Sequence, residues 1–226
     1  AVFISDIHSN LEALQAVEST LPDAPIYCLG DVVGYGANPN EAIEWVKKRA
    51  EVCILGNHDL AVLTGDVSWF NQAAAKAIQW TRSVIKPENL SFLSNLADRA
   101  KLNILGLKAL LVHGSPDDPI SEYTYLETHS RFFDIYLHRE DVELIGMGHT
   151  HIPYSWRSSR GMVFNPGSVG QPRSGRPEAS YAILRRVDSS FEIEHKLVPY
   201  DIDSAASKIL AAGLPTLLAS RLFSGI

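Results

Sequence analysis

Cysteine is scarce: the chain has two, Cys28 and Cys53, each inside an apolar run (IYCLG and EVCILG). That excludes a small disulfide-stapled scaffold and predicts two buried free thiols in a reducing compartment. No apolar run is long enough to cross a bilayer, and no leader pattern opens the sequence. The expectation is a cytoplasmic protein without a membrane partner. The first residue is Ala1, not Met, a few positions before the first motif, so the sequence sets no limit on what precedes it. Positive charge is not in excess either. With 20 Lys+Arg against 26 Asp+Glu the formal net charge is −6, whereas a binder of nucleic-acid polymers would usually carry a basic face. Internal repeats, low-complexity tracts and linkers of disordered composition are absent.

What is there is an ordinary globular composition, 46% hydrophobic and 20% charged over 226 residues, enough for one domain (1–226) with a substantial core. Short apolar runs read as buried strands: AVFI (1–4), IYCL (26–29), VCIL (52–55), LKALLV (107–112), ELIGM (143–147) and MVF (162–164). Helical patterns separate the early ones. LEALQAVEST comes after Asn10, a good N-cap, and Asn38-Pro39-Asn40-Glu41 opens a helix through EAIEWVKKRA. Strand, helix, strand, helix at this spacing predicts a layered α/β domain. A segment near 66–98 reads as two consecutive helices, 68–85 and 87–96, forming a cap-like insertion over one edge of the site. Its Trp69, Phe70 and Trp80 are expected to be packing positions rather than a base-stacking platform. SYAILRRV and FEIEHKLV alternate as antiparallel strands, and Asp203 is expected to cap a last helix, SAASKILAA, stopped by Gly213 and Pro215.

The informative pattern lies directly after each apolar run. In order come Ser5-Asp6-Ile7-His8, Gly30-Asp31, Gly56-Asn57-His58-Asp59, His113-Gly114, Gly148-His149-Thr150-His151 and Asn165-Pro166-Gly167-Ser168. Ligands of open α/β sheets bind beyond the carboxyl ends of the strands, and here six strand ends deliver polar groups to one place. Any one of these turns alone reads as an ordinary cap or bend. Independent turns have no reason to supply carboxylates, an amide and imidazoles each time. Asp6, His8, Asp31, Asn57, His113, His149 and His151 are therefore candidate metal ligands. Oxygen and nitrogen donors rich in imidazole favour Mn, Fe, Co, Ni or Zn over Ca or Mg, with Mn the expected activating ion. Seven donors exceed one coordination sphere, so two divalent ions sharing a bridging carboxylate fit better, an arrangement suited to in-line displacement at phosphorus by a metal-bound hydroxide. Two divalent ions also leave a net positive centre that attracts a phosphate anion.

These blocks resemble the calcineurin-like metallophosphoesterases, whose pattern is Asp-x-His, Gly-Asp, Gly-Asn-His-Asp/Glu, a strand-end His and Gly-His-x-His. All five stand in order from Asp6 to His151. The resemblance implies a four-layer α/β/β/α sandwich of two mixed sheets flanked by helices. It implies that Asp6, His8 and His151 bind a first metal, that Asn57, His113 and His149 bind a second, and that Asp31 bridges. It implies that His58 is no ligand but protonates the leaving oxygen. Asn165-Pro166-Gly167-Ser168 with Pro172-Arg173 resembles a loop of the small bacterial and archaeal phosphodiesterase branch, so Ser168 and Arg173, together with Asn10, are expected to contact substrate, Arg173 through a phosphate. The expected substrate is a small phosphodiester, with a monoester as a further option. Gly30-Asp31-Val32-Val33-Gly34-Tyr35-Gly36 with Pro39 and Glu41 is also similar to bacterial diadenosine tetraphosphatases, which keeps a dinucleoside polyphosphate hydrolase open. A metal-binding interaction scaffold with little activity is the alternative of another class. Gly34 and Tyr35 stand where the serine/threonine protein phosphatases carry Asp and Arg, which argues against that branch.

Overall fold

The computed structural model describes residues 1–188 and 190–226. Among these described residues ten strands form two five-stranded sheets. The first contains β1 (Val2–Ile4), β2 (Ile26–Cys28), β3 (Ala50–Cys53), β9 (Ala179–Val187) and β10 (Ser190–Val198) in the order β10-β9-β1-β2-β3. The second contains β4 (Arg99–Ile104), β5 (Leu107–Val112), β6 (Leu144–Gly146), β7 (Tyr154–Arg157) and β8 (Met162–Asn165) in the order β4-β5-β6-β8-β7. Each sheet is mixed. β1, β2 and β3 run parallel, as do β5, β6 and β8, while the remaining neighbours pair antiparallel.

Strand alternation builds the layers. Phe3, Tyr27, Ala109, Leu111, Phe164 and Ala182 point between the sheets and form the middle of the core. Phe3 stacks on Tyr27 with ring centroids 5.4 Å apart and meets Phe164 edge-on at 4.7 Å. The next residues along the same strands, Val2, Ile4, Cys28 and Ile183, face outward against α1 (Leu11–Glu18), α2 (Pro39–Arg49) and their neighbours. Leu110, Val112, Ile145 and Val163 of the second sheet face α6 (Leu126–Glu140). The expected α/β sandwich of two mixed sheets between helices is thus observed.

Local expectations meet mixed outcomes. Asn10 caps α1 by accepting from the Ala13 N–H, and Pro39 opens α2, although Asn38 makes no side-chain cap bond. The segment 66–98 contributes α4 (Gln72–Val84) and α5 (Pro87–Ser94). Helix α4 starts later than expected because Asn71 caps it through the Ala74 N–H. α4 and α5 pack on α3 (Asn57–Thr64), and α5 also on α2. Phe70 and Trp80 are partly buried there, but Trp69 is 92% exposed and is not a packing residue. The last pattern forms α7 (Ile202–Ala211), capped by Asp201 rather than Asp203, and α8 (Thr216–Ser224) comes after Pro215. Cys28 and Cys53 lie in register across β2 and β3 and are free, Cys28 buried and Cys53 half-buried. Among the described residues no helix is long and apolar enough to cross a membrane.

Candidate metal centre

The carboxyl ends of β1, β2 and β3 in one sheet and of β5, β6 and β8 in the other converge at one edge of the sandwich. Backbone bonds splice the loops together there. Asp6 N–H donates to Gly30 O and His8 N–H to Asp31 O, each at 3.0 Å, and Gly148 N–H donates to His113 O at 2.9 Å. Asp6, His8, Ser9, Asp31, Tyr35, His149 and His151 all take positive φ between 46° and 66°. Non-glycine residues hold that conformation only where surrounding bonds impose it, and such residues cluster at functional sites.

Seven side chains anticipated from the motifs meet at this edge. Their donor atoms group as Asp6–His8–His151 and as Asp31–His113–His149, each group within 4.8 Å and buried. Asn57 joins the second through Oδ1, 3.1 Å from His113 Nε2. Asp31 stands between the groups: its Oδ2 lies 3.6 Å from His8 Nε2 and 3.4 Å from His113 Nε2.

The imidazoles are aimed by backbone carbonyls. His8 Nδ1–H donates to Val33 O at 3.1 Å, His113 Nδ1–H to Leu29 O at 2.7 Å and His151 Nδ1–H to Gln171 O at 2.5 Å. His149 uses its other nitrogen, Nε2–H, on Ser121 O at 3.2 Å. Each ring therefore turns its remaining nitrogen inward. The consequence is sharpest for His8 and His151. With both Nδ1 protons committed to carbonyls, two Nε2 lone pairs face each other at 3.2 Å, and Asp6 Oδ1 stands 3.2 Å from the second. Lone pairs and a carboxylate converging in a buried space repel unless a cation lies among them. Asp6 Oδ1 and Asp31 Oδ2 are also buried without any hydrogen-bond partner, a costly condition for charged oxygens. The residues present thus fit divalent ions bound through nitrogen and oxygen.

Electrostatics agrees. Burial alone would push the Asp6 and Asp31 carboxyls up, but His151 beside Asp6 and His113 beside Asp31 hold both below the usual carboxylate range. Burial drives His149 down to about 3 and lowers His8 and His151, so these rings are neutral and able to ligate. His113 goes the other way. Burial opposes its charge, yet Asp31 and Asp6 raise it to about 10. His113 Nε2 is the atom that a metal would use, so metal binding there is linked to proton release.

His58 occupies a different position. It is the second residue of α3, and its ring is wedged between Tyr35, His8 and Phe70 at centroid distances of 4.4, 4.8 and 4.8 Å. Its donor atom also lies within 4.8 Å of those of His8 and Asp31. Nδ1 is buried against Gly34 without a partner, which leaves Nε2 as the ring nitrogen with access to the cleft. Burial lowers its pKa to about 4, against the pull of Asp31.

Arg173 reaches the same cleft. One guanidinium nitrogen donates to Tyr35 Oη and Gln171 Oε1, each at 3.1 Å, while Nε is buried and unpartnered. Asn10 and Ser168, expected to contact substrate, both make hydrogen bonds within the protein. Asn10 spends its oxygen on the Ala13 N–H and its amide on Gly170 O. Ser168 Oγ donates to Asp6 O and accepts from Gln171 N–H, both at 2.8 Å, in a fully buried position. Both side chains are spent on holding loops.

Two motif residues with no role assignable from sequence alone support the site. Asp59 accepts from the N–H groups of Val32, Val33 and Gly56 at 3.0–3.2 Å, tying the Asp31 loop to the start of α3. Burial and the neighbouring Asp31 charge push its carboxyl up to about 7 against those three donors. Asn165 donates to Gly148 O and to Thr150 Oγ1, fixing the turn that carries His149 and His151. The signal for Asp59 was its place three residues after Gly56, where an acid reaches back to the helix start.

Comparison with known proteins places this geometry in context. A family model described as the calcineurin-like phosphoesterase superfamily domain matches residues 1–189. A protein of Methanocaldococcus jannaschii, described as uncharacterized, is 42% identical over 243 aligned positions covering 98% of this chain and 96% of its own. The crystal structure of a metallophosphoesterase from Sphaerobacter thermophilus is similar with a TM-score of 0.85 and 36% identity, covering all of this chain and 98% of that one. A hypothetical protein from Pyrococcus horikoshii shares the fold with a TM-score of 0.89 at 20% identity, over all of this chain and 98% of its own.

Proposed function

The chain belongs to the calcineurin-like phosphoesterase superfamily, and from that premise we propose that it hydrolyses small phosphodiesters at a centre holding two divalent metal ions. The observation that carries this reading is the pair of facing Nε2 lone pairs of His8 and His151 beside the unpartnered Asp6 oxygen. In this reading Asp6, His8 and His151 hold one ion, Asn57, His113 and His149 hold the other, and Asp31 serves both. Mn is the ion we would supply. Two such ions contribute Lewis-acid activation of water and neutralisation of phosphoryl charge.

The chain's own groups do the rest. Arg173 is held without a carboxylate partner and offers its guanidinium edge to a phosphoryl oxygen. His58 carries the proton for the leaving oxygen on Nε2. An incoming phosphate anion favours the charged form of that ring, offsetting the burial that disfavours it. Water adds to phosphorus through its oxygen and gives up one proton to solvent. The bond from phosphorus to the leaving oxygen breaks, the His58 proton goes to that oxygen, and His58 regains a proton from solvent. Phe70 and Tyr35 enclose the ring and limit where it can point.

Turnover tests the reading: aryl monoesters and diesters, cyclic nucleotides, dinucleoside polyphosphates and a phosphopeptide, each with added Mn. Diester cleavage ahead of the others is expected. Efficient phosphopeptide hydrolysis without diester cleavage would overturn the substrate class, and a fully loaded protein that turns over nothing would favour a metal-binding scaffold.

A further inference from the structure

The loop between β5 and α6 ends in an extended stretch that alternates sides. Thr124 turns inward and is buried, and its carbonyl accepts from Tyr154 Oη at 3.0 Å. Tyr123 and Tyr125, on either side, turn outward together. Their rings are nearly parallel, 7° apart with centroids 6.1 Å apart, and they remain 44% and 38% exposed. Tyr123 also lies flat on the imidazole of His149, with centroids 3.8 Å apart and planes inclined by 26°. The approach to this stretch is fixed. Asp118 Oδ1 accepts from the N–H groups of Ile120 and Ser121, and Ser121 O holds His149. A small aromatic shelf is thus built onto the edge of the donor cluster. It begins in contact with a proposed ligand and continues outward into solvent.

The shelf and the proposed proton donor lie with different donor groups. His58 sits with His8 and Asp31, under Phe70, whereas Tyr123 rests on His149 of the Asp31–His113–His149 group. Asp31 belongs to both groups, but the ring the tyrosines stack on is His149 and the rings around His58 are Tyr35, His8 and Phe70. That assigns the tyrosines to the ester group that stays on phosphorus rather than to the one His58 protonates. Rings exposed beside an anion-attracting centre offer flat apolar area, which suits a heterocycle or aryl ring better than an alkyl or sugar group alone.

We propose that Tyr123 and Tyr125 form a stacking platform for a nucleobase or aryl ring carried by the retained ester group, so that the preferred substrates are nucleoside or aryl phosphodiesters. This inference rests on the phosphodiesterase reading above and adds the specificity-determining surface to it. Stacking of one ring on an aromatic side chain is worth roughly 5- to 150-fold in binding.

The test uses two diesters that share a p-nitrophenyl leaving group and differ in the retained group, thymidine in one and methyl in the other. The Mn-loaded protein should show a lower KM for the thymidine ester. Tyr125→Ala, which touches no proposed ligand, should raise that KM roughly 5- to 150-fold with kcat and metal content unchanged, and should leave the methyl ester untouched. Tyr123→Phe keeps the ring and loses the hydroxyl that faces Arg173, so it should retain the thymidine-over-methyl ratio of KM values whatever it does to the two rates. Equal KM values for the two esters in the unmutated protein, or equal losses for both in Tyr125→Ala, would overturn the platform. Calorimetric titration separates this failure from failure of the phosphodiesterase reading. If neither ester is cleaved, tighter binding of thymidine monophosphate than of inorganic phosphate, lost in Tyr125→Ala, still supports the platform. Equal binding of the two overturns it.

Discussion

The backbone N–H of His58 donates to Oδ1 of Asp31 at 2.8 Å. This one bond joins the proposed proton donor to the carboxylate that stands between the two donor groups. It occupies Oδ1 and leaves Oδ2, buried and unpartnered, facing His8 and His113. It also explains Gly56, since any Cβ there would collide with the same carboxylate. The turn after β3 and the turn after β2 are therefore a single rigid unit.

Asp31→Asn tests the bridge. The side-chain oxygen can keep the bond from His58 N–H, so the fold should survive and the far-ultraviolet spectrum should be unchanged. The anionic oxygen shared by both groups is lost. Elemental analysis after Mn loading should fall from about two ions per chain to fewer than one, because neither group keeps its full donor set. Clean loss of one ion with the other retained would show that Asp31 serves a single site.

His58→Ala separates acid from ligand. General acid catalysis contributes about 10²–10⁴-fold, so the rate on an alkyl diester should fall by that order. The loss should shrink for a nitrophenyl ester, whose leaving group needs little protonation, and metal content should stay constant. His58 also lies within reach of the His8 and Asp31 donors, so metal loss in this variant is the result that would make it a ligand.

How far the sequence alone reached can be judged from particular residues. The strands behind the site were legible because enclosed stretches read as unbroken apolar runs, β3 only through its end and the buried Ile54 and Leu55 beyond it, since it is itself an edge strand and half-buried. β4 and β7 were not. They are the two edges of the second sheet, and RAKLNI and YSWR carry polar residues on their open sides. The seven donors were legible because each comes directly after a strand. The loop-holding bonds of Asn10 and Ser168 were not legible, since a sequence shows that a polar side chain sits near a site but not that Gly170 O or Asp6 O already holds it. Tyr123 was missed because its link to His149 joins two loops separated by the whole of α6 and β6, with no periodicity to reveal it.

His195 gives a pH dependence away from the metal centre. It sits on β10, donating from Nε2 to Asn165 O at 2.9 Å. Burial lowers its pKa below the ordinary 6.5, outweighing that bond. A histidine depressed in the folded state binds its proton more readily when unfolded. Above pH 6.5 both states are neutral and nothing is lost. As pH falls below 6.5 the unfolded chain protonates first, and stability declines until the folded pKa is passed. Urea midpoints of the metal-free protein should therefore drop as pH falls from about 6.5 to 5.5, and the drop should be smaller in His195→Gln. An identical drop in both proteins would assign the whole effect to other groups.

Gly34 decides whether the sequence difference from the protein phosphatases is a change of chemistry or of packing. Its φ is +101°, and a Cβ built there would lie 2.5 Å from His58 Nδ1 and 3.0 Å from Cγ. The imidazole cannot swing clear, because Tyr35, His8 and Phe70 close the other sides. Gly34→Ala should therefore cost stability twice, about 1–3 kcal/mol through overpacking and about 1–3 kcal/mol through backbone strain. It should also displace the His58 ring and reproduce much of the His58→Ala rate loss with metals still bound. The double variant separates the two causes. Removing the ring removes the clash but not the strain. Gly34→Ala in a His58→Ala background should then lose only the strain component in denaturant melts and nothing further in rate. A double-mutant cycle with a coupling energy near the overpacking cost is the expected result. Strictly additive losses in stability and rate would mean that Gly34 is needed for its own backbone alone and that the space over His58 plays no part.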